Sequence, residues 1–178
     1  MRALAFGFLA VLAAFASSAA AAPAPTLCAA NERVLFSCST GAHTASICAS
    51  KDLSKDAAVQ YRFGKPGSLE LVYPEAGVKP ADAFVLGTLA FSGGGGAWLR
   101  FHKGPFRYTV FTAIGKWGRG GAPADAAGVA VDKDGKEFAH FPCRGGDADS
   151  EIGPDLIEKL GLTEAAEEFD IPDAFLPK

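Results

Sequence analysis

The sequence predicts a mostly β protein: an antiparallel meander of about 8 to 9 strands that forms a small barrel or sandwich, with a short C-terminal helix. Two observations support this. After residue 32, short alternating apolar and polar stretches are separated by Gly, Pro, Asn and Asp, a pattern typical of strands and tight turns. All four cysteines lie after residue 27, and an even number suits a disulfide-linked domain. The alternation does not distinguish a barrel from a sandwich.

The N-terminus has the order of a secretory signal. Met1 and Arg2 give a positive start, an apolar run follows over residues 3–16, and small residues precede Pro23. The alternative is an uncleaved membrane anchor, but the run is short for a span of about 20 residues. We therefore expect residues 1–22 to be a signal peptide. The mature chain is then expected to be periplasmic or secreted, without stable insertion in a membrane.

The expected strands follow from the alternation. They cover residues 33–38, 44–49, 59–63, 69–73, 84–91, 97–102, 106–112, 128–132 and 137–141. Asp134-Gly135 is a favoured two-residue hairpin turn between the last two strands. Residues 115–127 are rich in Gly and Ala and are expected to form a long exposed loop.

Charge divides the mature chain into two parts. Residues 23–143 hold 13 basic and 10 acidic side chains, whereas residues 144–178 hold 3 basic and 10 acidic. We expect a disulfide-stapled β domain over 23–143 and an acidic helical appendage over 144–178, with its helix at 150–160. No basic patch dominates, so nucleic acid is not an expected partner.

The cysteine spacing favours two disulfides over a metal site. Three pairings are possible, and the favoured one is Cys38–Cys48 across a turn with Cys28–Cys143 joining the ends of the domain. A four-cysteine zinc site lacks the close C-x-x-C pair that such sites use. We expect no metal and no cofactor.

A run of four glycines is the most unusual segment: Ser92, Gly93, Gly94, Gly95, Gly96, Ala97 and Trp98. A phosphate-binding loop needs a following helix and Lys-Ser/Thr, whereas a strand is expected here. Two interpretations remain. Either the bare backbone lies close to another strand of the same chain, or a partner accepts a narrow loop flanked by Ser92 and Trp98.

Aromatic and basic side chains follow the glycine run. Trp98, Tyr108 and Trp117, with Arg100 nearby, are expected to be either core residues or an exposed patch that binds a protein. His102 and His140 are candidates for catalysis, but no nucleophile motif accompanies them. Structural histidines are therefore favoured.

Several segments resemble a group of small exported bacterial proteins of unassigned function. They are residues 34–38, 46–48, 61–64, 92–98 and 128–131. The Ser- and Gly-containing loop is also similar to that of the periplasmic lysozyme inhibitors, which insert such a loop and a nearby aromatic residue into the enzyme's cleft. In this chain Ser92 and Trp98 occupy those positions, and Trp stands where Tyr is expected.

The resemblance implies a secreted or periplasmic, non-catalytic binding protein that inhibits a hydrolase of lysozyme type. Its expected contact residues are Ser92, Gly93, Gly94, Gly95, Gly96, Trp98, Arg100 and Tyr108. The partner is then a secreted or periplasmic protein. An envelope protein with a structural or interaction role is the alternative. A hydrolytic enzyme that uses His102 or His140 is the minor alternative.

Overall fold

The computed structural model describes residues 25–144 and 148–177. The expected signal peptide, residues 1–22, lies outside the described residues. The strands are β1 (Glu32–Ser39), β2 (Thr44–Ser50), β3 (Val59–Lys65), β4 (Ser68–Tyr73), β5 (Val85–Phe91), β6 (Gly94–Lys103), β7 (Phe106–Gly115), β8 (Ala124–Lys133), β9 (Lys136–Pro142), β10 (Asp149–Ser150) and β11 (Thr163–Glu164). The α-helices are α1 (Pro80–Ala83) and α2 (Asp155–Leu160).

These strands form two sheets. The first sheet has the order β10-β1-β2-β3-β4, and the second has the order β11-β5-β6-β7-β8-β9. Neighbours pair antiparallel, except that β11 runs parallel to β5. The nine strands that alternation predicts are therefore confirmed. They form an open sandwich, so the barrel alternative is wrong for the described residues.

The core lies between the two sheets and is rich in aromatic rings. The Tyr61 ring on β3 lies 5.0 Å from the Phe101 ring on β6. The Phe63 ring on β3 lies 4.9 Å from the Phe141 ring on β9. Because successive side chains of a strand point to opposite faces, one set of alternate residues from each sheet fills this layer.

The Asp-Gly turn between β8 and β9 has the conformation that its sequence predicts. Asp134 and Gly135 have φ values of 51° and 75°. Positive φ at both central residues is the feature of a type I′ turn, whose twist matches that of antiparallel strands. The expected loop over residues 115–127 is shorter than predicted, because β7 continues to Gly115 and β8 begins at Ala124.

Both disulfides form, but with a pairing other than the favoured one. Cys28 is joined to Cys48, and Cys38 to Cys143. In the β1–β2 register Cys48 lies opposite Val34, four residues before Cys38. At 3.3 Å per residue that places Cys38 and Cys48 about 13 Å apart, too far for a disulfide. The expected Cys38–Cys48 and Cys28–Cys143 links are therefore wrong.

The C-terminal segment is part of the domain, not an appendage to it. β10 pairs with β1, and β11 pairs with β5, so the segment adds a strand to each sheet. Between them, α2 buries Leu156 and Leu160 in the core shared by both sheets. The helix ends at Gly161, with φ 68°, as its sequence predicts.

Residues 165–177, here called the C-terminal strap, lie against the outer face of the second sheet. The Phe169 and Phe175 rings lie 5.2 and 4.9 Å from Phe111 on β7. A second apolar cluster therefore forms on that face, with Trp98 and Phe111 fully buried in it. The second sheet is therefore covered on both faces where Trp98 and Phe111 lie.

The two disulfides indicate an oxidising compartment. No helix within residues 25–144 and 148–177 has the length and apolar character needed to cross a bilayer.

Candidate functional site

Most of the glycine run lies inside the second sheet. Gly94 begins β6, and only Ser92 and Gly93 form the exposed turn between β5 and β6. A Cβ atom at Gly96 would lie 2.1 Å from the Thr112 carbonyl oxygen, and one at Gly94 would lie 1.9 Å from that of Ile114. The glycines thus allow β6 to lie close to β7. Of the two interpretations, close approach to another strand is the one that the geometry supports for residues 94–96.

Trp98 is buried and cannot belong to an exposed loop. Its exposed fraction is 1%, and it faces away from the first sheet, under the C-terminal strap. The indole lies against Gly87 on β5, where a Cβ atom would come within 2.3 Å of the ring. The expectation that Trp98 accompanies Ser92 in binding a partner is therefore wrong.

Arg100 is also buried, with its side chain 4% exposed. Its Nε donates a hydrogen bond to Thr109 Oγ1 at 2.9 Å, and its Nη1 donates to Glu167 Oε2 at 3.2 Å. Loss of hydration on burial lowers the pKa of Arg100 from its usual value. The guanidinium joins the strap to the sheet, so we assign Arg100 a structural role and not a contact with a partner.

Tyr108 lies on the opposite face of the second sheet from Trp98 and Arg100. Its ring stacks on Phe101 at 4.8 Å in the core between the sheets. The expected patch of Trp98, Arg100 and Tyr108 is therefore not one surface. The prediction of one surface is wrong because successive side chains of a strand point to opposite faces. Tyr108 pairs with Phe101, which points inward, whereas Trp98 and Arg100 point outward.

An exposed surface does form at the end of the β5–β6 hairpin. We call Phe91, Ser92, Gly93, Lys116 and Trp117 the hairpin tip. The Phe91 ring is 36% exposed and lies 5.3 Å from the Trp117 ring. The Lys116 side chain crosses Gly93, where a Cβ atom would lie 2.4 Å from Lys116 Cε. A hydroxyl, an ammonium group and two aromatic rings thus surround one tight turn.

A groove of about 370 Å³ adjoins the hairpin tip. It is lined by Ser92, Lys116 and Trp117 from the tip and by Phe169 and Ile171 from the C-terminal strap. The turn projects beside a partly apolar groove. The turn and the groove together form a surface that can bind part of a protein partner.

The sequence analysis did not place Lys116 and Trp117 beside Ser92, although the register of the β6–β7 hairpin predicts that they lie there. The turn at Gly104 pairs Lys103 with Phe106 and, farther along, Gly95 with Ile114. Continuing that register brings Lys116 opposite Gly93. The aromatic partner of Ser92 at the tip is Trp117 and not Trp98.

The two candidate catalytic histidines lie in separate places. His102 lines a cleft of about 480 Å³ together with Arg100 and Glu167. His140 Nε2 lies 3.3 Å from Glu137 Oε2 but makes no hydrogen bond. Neither imidazole hydrogen-bonds to a hydroxyl or thiol among the described residues. Both have titratable neighbours, so the minor enzymatic alternative stays a prediction.

Among the described residues, one group of three has the closeness that metal ligands need: Cys28, Glu32 and Cys48. Both sulfur atoms belong to the same disulfide. They have no thiolate with which to bind a metal, because a thiolate is the ligand form of cysteine. The group is explained by the disulfide and by Glu32, which accepts a hydrogen bond from the Ala29 amide at 2.7 Å.

No protein family, curated protein or solved structure matches this chain in comparisons with known proteins. Any assignment of function therefore depends on the residues described above.

Proposed function

We propose that this protein is an exported, non-catalytic binding protein whose hairpin tip enters the active-site cleft of a secreted hydrolase of lysozyme type. The observation that carries the proposal is the arrangement at one exposed turn: Ser92 and Gly93 at its end, Lys116 across it, and Phe91 against Trp117 beside it. The N-terminal signal pattern and the two disulfides support a periplasmic or secreted location.

The shape of the tip suits insertion into a narrow cleft. A turn of Ser92 and Gly93 adds little side-chain volume, so its backbone can reach groups that a bulkier loop cannot. The turn joins β5 to β6, and β6 pairs on its other side with β7. A loop held by paired strands loses little conformational entropy on binding, which favours affinity.

The chemistry of the tip suits a carboxylate-lined cleft. Glycoside hydrolases generally place two carboxyl groups about the scissile bond. The Lys116 ammonium and the Ser92 hydroxyl are donors that such carboxylates accept. Phe91 and Trp117 supply aromatic area of the kind that anchors protein interfaces.

The charge of the chain also suits a cationic hydrolase. Residues 144–178 carry 10 acidic against 3 basic side chains, and the whole chain has a formal net charge of −3. A negative surface attracts a cationic partner over several ångströms and raises the association rate at low salt.

The proposal is tested by titrating the mature protein against several lysozymes in a cell-wall lysis assay. We expect inhibition in the micromolar range or below. Trp117→Ser and Lys116→Gln should each raise the inhibition constant, and Trp117→Ser by about tenfold or more, as for an aromatic anchor. Ser92→Ala should raise it less.

The control is Val78→Ser, which makes the same apolar-to-serine change at an exposed residue on the chain before α1, away from the tip. Its inhibition constant should equal that of the wild type. Absence of inhibition at micromolar concentration, or an equal effect of Val78→Ser and Trp117→Ser, would contradict the proposal. If no lysozyme is inhibited, capture of a different envelope protein through the tip would favour the alternative function, an interaction role in the envelope.

A further inference from the structure

A second opening lies between the two sheets, away from the hairpin tip. β4 and β9 are the outermost strands of their sheets, and each pairs on one side only. Between them is a cleft of about 310 Å³, here called the aromatic cleft. Six rings line it: Tyr61, Phe63, Phe106, Tyr108, Phe138 and Phe141.

The Tyr61 side chain gives the cleft an unused polar group. Tyr61 is 1% exposed, and burial raises the pKa of its hydroxyl, so the group keeps its proton and remains a donor. The hydroxyl makes no hydrogen bond to a described residue. A hydroxyl in this position is free to donate to a ligand or to ordered water in the cleft.

The Tyr61 oxygen is also not sealed inside the protein. Within the described part of the chain, the side-chain polar atoms that are both fully enclosed and unpartnered belong to Trp98 and His140. The Tyr61 hydroxyl is not among them, and Tyr61 lines the aromatic cleft. We therefore infer that this hydroxyl donates into the cleft.

The charge at the cleft selects the kind of ligand. Glu70 is the one charged residue in the lining, and it already pairs with His43 Nε2 at 2.9 Å. Among the described residues, no Lys or Arg lines the cleft to bind an anionic ligand. An uncharged molecule avoids both repulsion from Glu70 and the loss of an ion's hydration on entering an apolar site.

The volume of the cleft and the exposed ring at its mouth suit a small ligand. A volume of about 310 Å³ is at the small end of ligand pockets, which are typically apolar with a few polar groups. Phe138 is 60% exposed at the mouth and lies 5.2 Å from Phe106. A bound molecule would cover these rings.

We propose that the aromatic cleft binds an uncharged, mainly apolar small molecule that has one or two rings or a short acyl chain. The molecule carries one hydrogen-bond acceptor, which accepts a hydrogen bond from the Tyr61 hydroxyl. Tyr108, which the sequence marked as a contact residue, forms part of the wall. The site is independent of the hairpin tip and of any hydrolase.

The test uses Prodan, an uncharged naphthalene dye with one ketone oxygen whose emission shifts to shorter wavelength in apolar surroundings. The mature protein should bind it saturably with such a shift. Tyr61→Phe keeps the ring and removes the donor, so affinity should fall about threefold to tenfold. Ala139→Phe places a ring in the cleft and should abolish binding.

The control is again Val78→Ser, an exposed apolar residue outside the cleft, which should leave affinity unchanged. Circular dichroism and thermal unfolding check the fold of each variant, and Leu71→Phe is the second blocking variant if Ala139→Phe does not fold. The proposal is overturned if the wild type shows no saturable binding, if a folded blocking variant binds as well as the wild type, or if Tyr61→Phe binds equally well. A loss in Val78→Ser equal to that in the blocking variant would also overturn it.

Discussion

The guanidinium carbon of Arg100 lies 4.1 Å from the centroid of the Trp98 ring, in a site closed on its other side by the C-terminal strap. The cation is held by the ring face, by Thr109 in the neighbouring strand and by Glu167 in the strap. One buried side chain thus links the sheet to the segment that covers it.

Replacing Arg100 should destabilise the protein more than replacing its acidic partner. Arg100→Leu removes the contact with Trp98 and leaves Thr109 without its bond, so the free energy of unfolding should fall by about 2 kcal/mol. Glu167 is 72% exposed, so Glu167→Gln should cost less than about 1 kcal/mol. Urea unfolding measures both, and equal losses would show that Arg100 is not the main link.

Gly87→Ala should disturb the packing of Trp98. The new methyl group would lie 2.3 Å from an atom of the buried Trp98 ring, so overpacking should cost about 1–3 kcal/mol. Gly153→Ala is the control, since its methyl group would meet only the end of the Asp155 side chain at 3.1 Å. Tryptophan fluorescence during urea unfolding gives the stability, and a control as damaging as Gly87→Ala would rule out the steric explanation.

The two disulfides should contribute unequally to stability. In the chain-entropy account, a loop of 105 residues, closed by Cys38–Cys143, contributes about 5 kcal/mol, and one of 20, closed by Cys28–Cys48, about 3 kcal/mol. Double alanine replacement of Cys38 and Cys143 should therefore lower the thermal midpoint more than the same change at Cys28 and Cys48. Calorimetry would reveal a reversed order, which would contradict the loop-length explanation.

The ion pair of Glu32 and Arg62 should make stability depend on acid pH. Two Arg62 nitrogens donate to the two Glu32 oxygens at 2.7 Å each, and this hydrogen bonding holds the pKa of Glu32 below its usual 4.5. The unfolded chain therefore binds a proton at Glu32 at higher pH than the folded protein does. The contribution of this ion pair to the free energy of unfolding is complete above about pH 4.5. It is lost as the pH falls through the lower pKa that Glu32 has in the folded protein.

Unfolding free energies at a series of pH values between about 3 and 6 test this, with Glu32→Gln as the comparison. The variant should lose less stability than the wild type as pH falls through that range. Glu75→Gln, which changes an exposed carboxyl that pairs with no cation among the described residues, is the control and should change the slope little. Identical slopes for the wild type and Glu32→Gln would contradict the assignment.

The strands could be predicted from sequence because each half-buried strand carries its own alternation, as Val59-Gln60-Tyr61-Arg62-Phe63 does on β3. β10 and β11 could not, since each has two residues and exists because it pairs with β1 or β5. The choice of sandwich over barrel is also non-local, because it depends on which strands remain unpaired at the sheet edges.

The candidate site was predicted in part. Ser92 and Gly93 do form an exposed turn, but burial of Trp98 depends on a strap that the sequence assigned to the acidic appendage and not to the β domain. The apolar residues of the strap, Phe169 and Phe175, are too far apart to give a periodic signal. The disulfide pairing failed for a geometric reason: cysteines flanking a hairpin must be opposite in register to bond, and Cys38 lies opposite Ala45.

The position of Cys143 divides the polypeptide into a covalently enclosed portion and a free end. A single peptide-bond cut between Cys38 and Cys143 would leave both fragments tethered through sulfur. A cut directly after Cys143 would leave a segment held by non-covalent contacts alone: the pairing of β10 and β11, the buried Leu156 and Leu160, and the rings over Trp98 and Phe111. The cover over Trp98 and Phe111 therefore depends on an unbroken backbone after Cys143, whereas the strands before it are crosslinked.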